Sequence, residues 1–317
     1  MSALLERLGV EAPVVQAGMG GGIARHELAA AVSEAGGLGT IGTDDAPVLE
    51  RELQKARALT GKPVAVNLLL PFTTDAHWRV ARQADAVVTF WGRPLRRSPG
   101  VWLHQCGSLQ EALTARAAGA DGVIVQGVEA GGHVRGTQPA AELLAEVRTA
   151  VGPDYPVLRA GGIAEAQDVR HAIADGADAA VLGTRFLMSD ECRAAPAYKQ
   201  RLMESRETVL NQLFCVGWPS ATTRVLWNEA CERWLDEDGN EPKWIRALQA
   251  TLSVLPRRAL EPLIPLQRPE LPLFSPYAPT TGMPKALLDA GALYAGQTVA
   301  RLHDIRPAGD LTRELAG

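Results

Sequence analysis

The residue best suited to proton chemistry in this sequence is His133, which lies in the segment 121–136 (DGVIVQGVEAGGHVRG). An imidazole titrates near neutral pH and can act as an acid, a base or a hydrogen-bond donor. The residues 123–125 are apolar throughout, as in a strand buried on both faces. Gly131 and Gly132, just before the histidine, let the backbone approach another group closely. The segment therefore predicts a functional loop after a buried strand, and an ordinary glycine-rich turn with a surface histidine is the alternative.

Two further motifs have the residue types that bind phosphate. Gly161-Gly162 and Gly183-Thr184 each follow a short apolar run. Backbone N–H groups and a hydroxyl at such positions, near a helix N-terminus, suit a phosphate. One motif alone predicts only a tight turn. Two motifs on consecutive strands favour a phosphorylated cofactor.

The elements that must position these residues are short apolar runs that alternate with helix-like segments. Several of the segments end in glycine, as at Gly36, Gly119 and Gly176, which suits a left-handed helix C-cap. Eight runs in this pattern predict a (β/α)8 TIM barrel, whose active sites form at the carboxyl ends of its strands. A doubly wound open sheet is the alternative, because periodicity does not show whether a sheet closes. The eight runs are 13–16, 38–42, 63–68, 86–90, 101–104, 122–126, 156–160 and 179–183.

The chain after the eighth run has a different pattern. Residues 192–250 are predicted as helices, 255–284 are rich in proline, and 287–302 again have a helical pattern. We therefore expect a barrel of residues 1–191 and 286–317, with a helical insertion at 192–285 that covers the active site. Residues 286–303 are expected to form a helix that closes the barrel. The connection 91–100 is too short for a full helix and is predicted as a loop or a single turn.

The composition describes a globular protein with a large core. Of its 317 residues 46% are hydrophobic and 21% are charged, and the net charge is −4 with a pI near 5.9. No basic stripe points to nucleic acid or a membrane surface. The four cysteines form no CxxC pair, which predicts buried, reduced thiols in a cytoplasmic protein and no metal site.

Six segments together resemble one family. They are QAGMGGG, AVNLLL, QGVEAGGHVRG, RAGGIAEAQDVRHAIADGADAAVLGTRFL, FCVGWPSATTRVLWN and ALYAGQTVARL. The set is similar to the nitronate monooxygenases, formerly called 2-nitropropane dioxygenases, and covers nearly the whole chain. The resemblance implies an FMN-dependent barrel that oxidises alkyl nitronates or nitroalkanes with O2 to carbonyl compounds and nitrite.

The resemblance also implies roles for individual residues. His133 corresponds to the active-site histidine, as base or hydrogen-bond donor. Gly18 stands where family members often have proline, so we expect a looser wall against the flavin there. The residues implied to line the flavin ring and ribityl chain are Ala17, Gly18, Met19, Asn67, Gln126 and Gly131. Those implied to hold the phosphate are Gly162, Val181, Leu182, Gly183 and Thr184, to which the motif above adds Gly161.

Two other functions fit the same pattern. One is an NAD(P)H-dependent flavin reductase of enoyl thioesters or quinones, and the other is a flavin-binding protein without turnover. NAD(P)H as a co-substrate stays open, as does the choice between a monomer and a homodimer.

The remaining histidines and the tryptophans carry weaker expectations. His26, His77, His171 and His303 lie on helix-like or loop segments and are expected to be solvated. His104, on the fifth strand, is expected to face the barrel mouth. The tryptophans after residue 200 are expected mainly to pack between elements.

Overall fold

The computed structural model describes residues 3–94, 100–218, 220–254 and 261–317. The chain divides into two compact units. The barrel unit contains Met1–Glu129, Arg135–Arg193 and Asp304–Gly317, and the insertion unit contains Ala130–Val134 and Ala194–His303. The expected boundaries were 191/192 and 285/286, whereas the chain passes between the two units at 193/194 and 303/304.

Eight parallel strands form the barrel unit. The order of the strands across the sheet is β1-β9-β8-β6-β5-β4-β3-β2, so strands that follow one another in the barrel unit lie side by side. β7 (Gly132–His133) is missing from this order because it is a strand of the insertion unit. All eight predicted runs are confirmed as strands. They are β1 Val14–Gln16, β2 Gly39–Ile41, β3 Val64–Leu69, β4 Ala86–Phe90, β5 Val101–Cys106, β6 Gly122–Gln126, β8 Val157–Ala160 and β9 Ala180–Leu182.

The first and second strands close the sheet. Val15 forms a parallel bridge with Leu38. Two backbone hydrogen bonds span this junction, from Gln16 N to Leu38 O at 3.0 Å and from Leu38 N to Val14 O at 2.9 Å. Closure excludes the open doubly wound sheet and confirms the TIM barrel.

Alternation along the strands separates an inner core from an outer one. Val15, Leu38, Ala65, Leu103 and Val181 belong to one buried cluster inside the barrel. A second cluster contains alternate residues of β2 to β4 with apolar side chains of the covering helices. The helical elements of this unit are α1 Ala3–Leu8, α2 His26–Glu34, α3 Ala46–Leu59, a 3-10 turn Leu70–Phe72, α4 Asp75–Ala81, α5 Leu109–Ala117, α6 Ala140–Val151, α7 Ala166–Ala174, α8 Thr184–Leu187 and α13 Ala308–Ala316.

Glycines end several of these helices as predicted. Gly36, Gly119 and Gly176 have φ values of 90°, 88° and 99°. A side chain at such a backbone conformation is strained, so these positions suit glycine. The predicted loop between β4 and β5 contains no helix in its described residues, and 95–99 lie outside them.

The insertion unit is not wholly helical, which corrects the prediction for 192–250. Strands β10 (Thr208–Asn211) and β11 (Thr223–Leu226) form an antiparallel sheet with β7. Their sequences, TVLN and TRVL, do not alternate polar and apolar residues, so they carry no period-two signal for a strand. The helical elements are α9 Pro196–Glu204, α10 Glu229–Trp234, α11 Lys243–Leu252, a 3-10 turn Glu261–Leu266, α12 Leu287–Ala290 and a 3-10 turn Gln297–Arg301.

The helix expected at 286–303 is interrupted. α12 ends before Gly291, and Tyr294 forms an antiparallel bridge with Val225 before the 3-10 turn begins. These residues belong to the insertion unit, so the expectation that they close the barrel was wrong. A Cβ at Gly291 would lie 2.5 Å from Leu287 O, so the end of α12 leaves no room for a side chain there. None of the helices in the described ranges has both the length and the apolar character needed to cross a membrane.

Gly39 tests the packing of α2 on the barrel. A Cβ at this position would lie 2.6 Å from the carbonyl carbon of Ala29. We expect Gly39→Ala to lower the free energy of unfolding by about 1–3 kcal/mol or more, because backbone must move to admit the methyl group. Urea unfolding of the purified protein measures the change. Gly61→Ala is the control, since nothing lies within 4 Å of its Cβ position, and equal losses in both variants would contradict the packing argument.

Candidate active site

The carboxyl ends of β1 and β9 bring the first predicted cofactor residues together. The two strands pair with Gln16 opposite Leu182, and Ala17 N donates a 2.9 Å hydrogen bond to Leu182 O. A Cβ at Gly183 would lie 3.7 Å from the Ala17 Cβ. Val181 belongs to the inner cluster, against which Ala17 packs. The strand ends therefore place Ala17 and Gly183 side by side at the barrel edge.

Asn67, near the carboxyl end of β3, fills the space beside Gly18. Its Nδ2 donates a 3.1 Å hydrogen bond to Val88 O. A Cβ at Gly18 would lie 2.6 Å from the Asn67 Cγ, so a larger residue at 18 would displace this side chain. The looser wall expected at Gly18 concerns its flavin side and stays a prediction. Met19 follows in the same loop, where its carbonyl accepts a 3.0 Å bond from Ala24 N.

The loop after β8 has the backbone conformation expected of a phosphate site. Gly161 and Gly162 have φ values of 107° and 74°. A Cβ at Gly162 would make only ordinary contacts, with the Glu129 Oε1 at 3.6 Å and an Arg159 guanidinium nitrogen at 3.9 Å, so the protein's own packing does not require a glycine here. Thr184 begins α8 after the neighbouring strand β9. Two consecutive glycines with positive φ can direct their backbone N–H groups towards an anion, and the Thr184 hydroxyl can donate a further hydrogen bond. These residues therefore fit the phosphate of a nucleotide.

Gln126, the last residue of β6, is buried and fixes the backbone beyond it. Its Oε1 accepts a 3.0 Å hydrogen bond from Arg135 N. The Arg135 guanidinium bonds the Glu111 carboxylate and lies 5.0 Å from the ring centre of Trp91. Trp91 has φ of 63°, an unusual conformation for a bulky residue that often marks a functional position. Sequence reasoning missed Trp91 and Arg135, although both immediately adjoin predicted elements.

His133 lies in β7 of the insertion unit. Antiparallel pairing sets it opposite Thr223 of β11. Its ring stacks on Trp218 with centroids 4.1 Å apart and planes 25° apart, and Tyr294 lies against it at 5.4 Å. The sequence predicted mainly a packing role for Trp218, as for the other tryptophans after residue 200, and did not single out Tyr294, although both lie in segments of the family resemblance. Strand pairing over ninety residues brings them together, and no local pattern carries that information.

Gly131 packs within the same unit. A Cβ there would lie 2.5 Å from the backbone of both Ala295 and Gly296. The residue is therefore needed for close backbone approach, and its role beside a flavin stays a prediction.

Burial sets the protonation state of the imidazole. The Nε2 of His133 is shielded from solvent, and burial lowers the pKa of His133 to about 3. The side chain is therefore neutral near pH 7. A neutral imidazole can accept a proton at one nitrogen and donate a hydrogen bond from the other.

His104 does not face the barrel mouth, which corrects the expectation. Leu103 belongs to the inner cluster, so the alternation of β5 turns His104 outward. Its Nδ1 lies 2.7 Å from the Thr89 Oγ1, which also accepts a hydrogen bond from Trp102 Nε1 at 2.7 Å. Burial lowers the pKa of His104 to about 4.

Two of the four histidines expected to be solvated are not. His171 and His303 are exposed, as predicted. His77 is buried and caps α4, with its Nδ1 accepting a 3.1 Å bond from Thr74 N. His26 is half-buried and bonds the buried carboxylate of Glu52. All four cysteines are buried, in agreement with the prediction of mostly buried thiols.

Comparison with known proteins shows the family of this chain. The nitronate monooxygenase family model matches residues 1–97 and 95–317. The chain belongs to this family and is an oxidoreductase. It is similar to the nitronate monooxygenase of Pseudomonas aeruginosa, with 33% identity over 255 residues, 63% of this chain and 72% of that protein.

A second relative carries a different name. The (3aS,4S,5R,7aS)-5-hydroxy-7a-methyl-1-oxo-octahydro-1H-indene-4-carboxyl-CoA dehydrogenase of Mycobacterium tuberculosis is 35% identical over 217 residues, which is 64% of this chain. The match spans 60% of the length of that dehydrogenase.

Solved structures show the same architecture over the whole chain. The nitroalkane oxidase from Streptomyces ansochromogenes has a TM-score of 0.74 and 29% identity, covering 99% of this chain and 97% of that one. FabK from Thermotoga maritima has a TM-score of 0.78 and 26% identity, covering 99% and 94%.

His104 predicts a pH dependence of stability. Because its folded pKa lies below the value of about 6.5 in the unfolded chain, the unfolded state binds the extra proton, and stability falls as the pH drops from 6.5 towards 4. The contribution is at most about 1.4 kcal/mol per pH unit. We expect the free energy of unfolding of His104→Gln, measured by urea unfolding, to fall less steeply than that of the wild type between about pH 6.5 and pH 4.5. His171→Gln, at an exposed position, should keep the wild-type slope; equal slopes in all three proteins would contradict this.

Proposed function

We propose that this protein is an FMN-dependent nitronate monooxygenase, which converts alkyl nitronates or nitroalkanes and O2 into carbonyl compounds and nitrite. The observation that carries the proposal is the neutral, aromatic-stacked imidazole of His133 in a chain of this family. The similar nitroalkane oxidase and nitronate monooxygenase support the substrate class.

The residues present fit the proposed cofactor. Bound FMN would supply the electron acceptor of the reaction. The phosphate would be held by the left-handed glycines and the neighbouring strand end, namely Gly161, Gly162, Val181, Leu182, Gly183 and Thr184. The ring and ribityl chain would be lined by Ala17, Gly18, Met19, Asn67, Gln126 and Gly131.

His133 would act on the proton of a nitroalkane. The C–H bond next to the nitro group breaks, its electron pair enters the C=N bond of the nitronate, and the proton moves to an imidazole nitrogen. The neutral imidazole has a nitrogen lone pair that can accept this proton. Because burial disfavours the imidazolium, the step also needs a group that stabilises the charged ring. A substrate supplied as nitronate needs no such transfer, and His133 would then donate a hydrogen bond to it.

The second candidate is a reductase that takes electrons from NAD(P)H to an enoyl thioester or quinone. The relative named as a carboxyl-CoA dehydrogenase favours a thioester among these substrates. A flavin-binding protein without turnover is the third possibility. The three differ in which compound reduces the bound flavin.

Nitrite production tests the leading candidate. We expect the FMN-loaded protein to release nitrite from nitroethane, and His133→Ala to lower this rate by about 10²–10⁴-fold because the base is lost. His303→Ala, at an exposed position, is the control and should behave as wild type. Anaerobic flavin bleaching by NADH but not by nitronate would favour the reductase, and no bleaching by either would favour the non-catalytic protein.

Gly162 tests the cofactor site. Gly162→Ala should lower the FMN retained after gel filtration at least about tenfold, because the methyl group occupies backbone space proposed for the phosphate. Gly152→Ala is the matched control: Gly152 has φ of 83°, open surroundings and a place at the end of α6. Both variants carry similar backbone strain of about 1–3 kcal/mol. Equal FMN content in the two variants would reject the assignment of Gly162.

A further inference from the structure

Trp218 is held in place independently of the histidine that it touches. The side chain is only 6% exposed. Its backbone N donates a 2.8 Å bond to Cys215 O, and Val216 N donates a 3.1 Å bond to Phe274 O. The indole therefore belongs to a fixed segment between β10 and β11.

The same sheet fixes His133. β7 pairs with β11 through His133 and Gly132, and Val134 N donates a 2.9 Å bond to Thr222 O. The two rings are thus presented to each other from backbone that belongs to one unit. Their 25° interplanar angle and 4.1 Å separation are those of a stacked pair.

We propose that Trp218 is a positioning residue for proton transfer, whose indole fixes the plane of the His133 ring and stabilises the imidazolium that forms. This inference rests on the proposed function, in which the nitroalkane proton moves to His133. An indole face attracts a cation most strongly among the aromatic side chains, and the attraction grows when the pair is desolvated. Trp218 thereby opposes the burial that disfavours the charged ring.

Tyr294 and Arg224 do not supply this stabilisation. Tyr294 lies tilted at 47°, and its Oη donates to Pro276 O at 2.8 Å. Burial raises the pKa of Tyr294 well above its usual value, so it stays neutral. Arg224, the register partner of Gly132, is a cation and directs its Nη1 to Thr208 Oγ1 at 3.2 Å.

The test compares a substrate that needs the base with one that does not. For Trp218→Leu, kcat/KM for nitroethane should fall at least about tenfold, a loss of about 1.4 kcal/mol in transition-state stabilisation. With ethylnitronate it should stay within about threefold, because no proton is removed. Trp218→Phe, which keeps an aromatic face, should restore most of the nitroethane rate. Trp244→Leu, at a tryptophan that is 52% exposed, should change neither rate.

A second readout reports the stacking itself. The ring protons of His133 should resonate upfield in the NMR spectrum of the folded protein, and Trp218→Leu or Trp218→Met should remove this displacement. His133→Gln identifies the resonance. Trp218→Met also replaces the leucine variant if that protein does not fold.

The outcomes separate this inference from the proposed function. The relevant quantity is the ratio of kcat/KM for nitroethane to kcat/KM for ethylnitronate. If His133→Ala lowers this ratio and the Trp218 variants do not, the positioning role of Trp218 is wrong, whereas His133 remains the proposed base. If His133→Ala leaves the ratio unchanged, the base fails and the inference fails with it. A wild-type enzyme that oxidises only preformed nitronates has no proton transfer to position, and this result also overturns the inference.

Discussion

The hydrogen bonds between Val14–Gln16 and Leu38 are the constraint on which the barrel site depends. They join the two ends of an eight-stranded parallel ladder. Because every strand runs in the same direction, closure gathers all carboxyl ends at one edge. Residues far apart in the chain, such as Ala17, Asn67 and Gly183, reach that edge without any direct attraction between them. The site is a consequence of backbone pairing rather than of side-chain contacts.

The glycines of the proposed cofactor set have two different kinds of surroundings. Gly18 and Gly131 are closely surrounded, so they allow packing that a Cβ would prevent. Gly162 has a left-handed backbone, and a Cβ there would make only ordinary van der Waals contacts. The first kind preserves the protein's own packing, whereas the second exposes backbone to a ligand. This contrast is why the assignment of the phosphate rests on Gly162 more than on any other glycine of the set.

A pKa lowered by burial does not by itself distinguish the proposed base from another histidine. His104 and His133 both have strongly lowered pKa values, and desolvation is the main cause in each. His104 faces outward from β5 and bonds the Thr89 hydroxyl, so its shift reflects ordinary core packing. His133 follows two glycines, stacks on Trp218 and lies tilted against Tyr294. Position and neighbours, rather than the size of the shift, distinguish the two.

The sequence by itself determined the strand-helix alternation, the glycine loops at 161–162 and 183–184, and the family motif around His133. These are local patterns, in which a few consecutive residues decide the backbone conformation. Only the tertiary structure decided that the sheet closes, that residues 223–226 form a strand beside His133, and that Trp218 and Tyr294 meet its ring. The tertiary structure also decided that the helix beginning at Leu287 ends at Ala290 and that His104 points outward from β5. Each depends on pairing between distant segments, where the free energy of burial and strand pairing overrides local propensity.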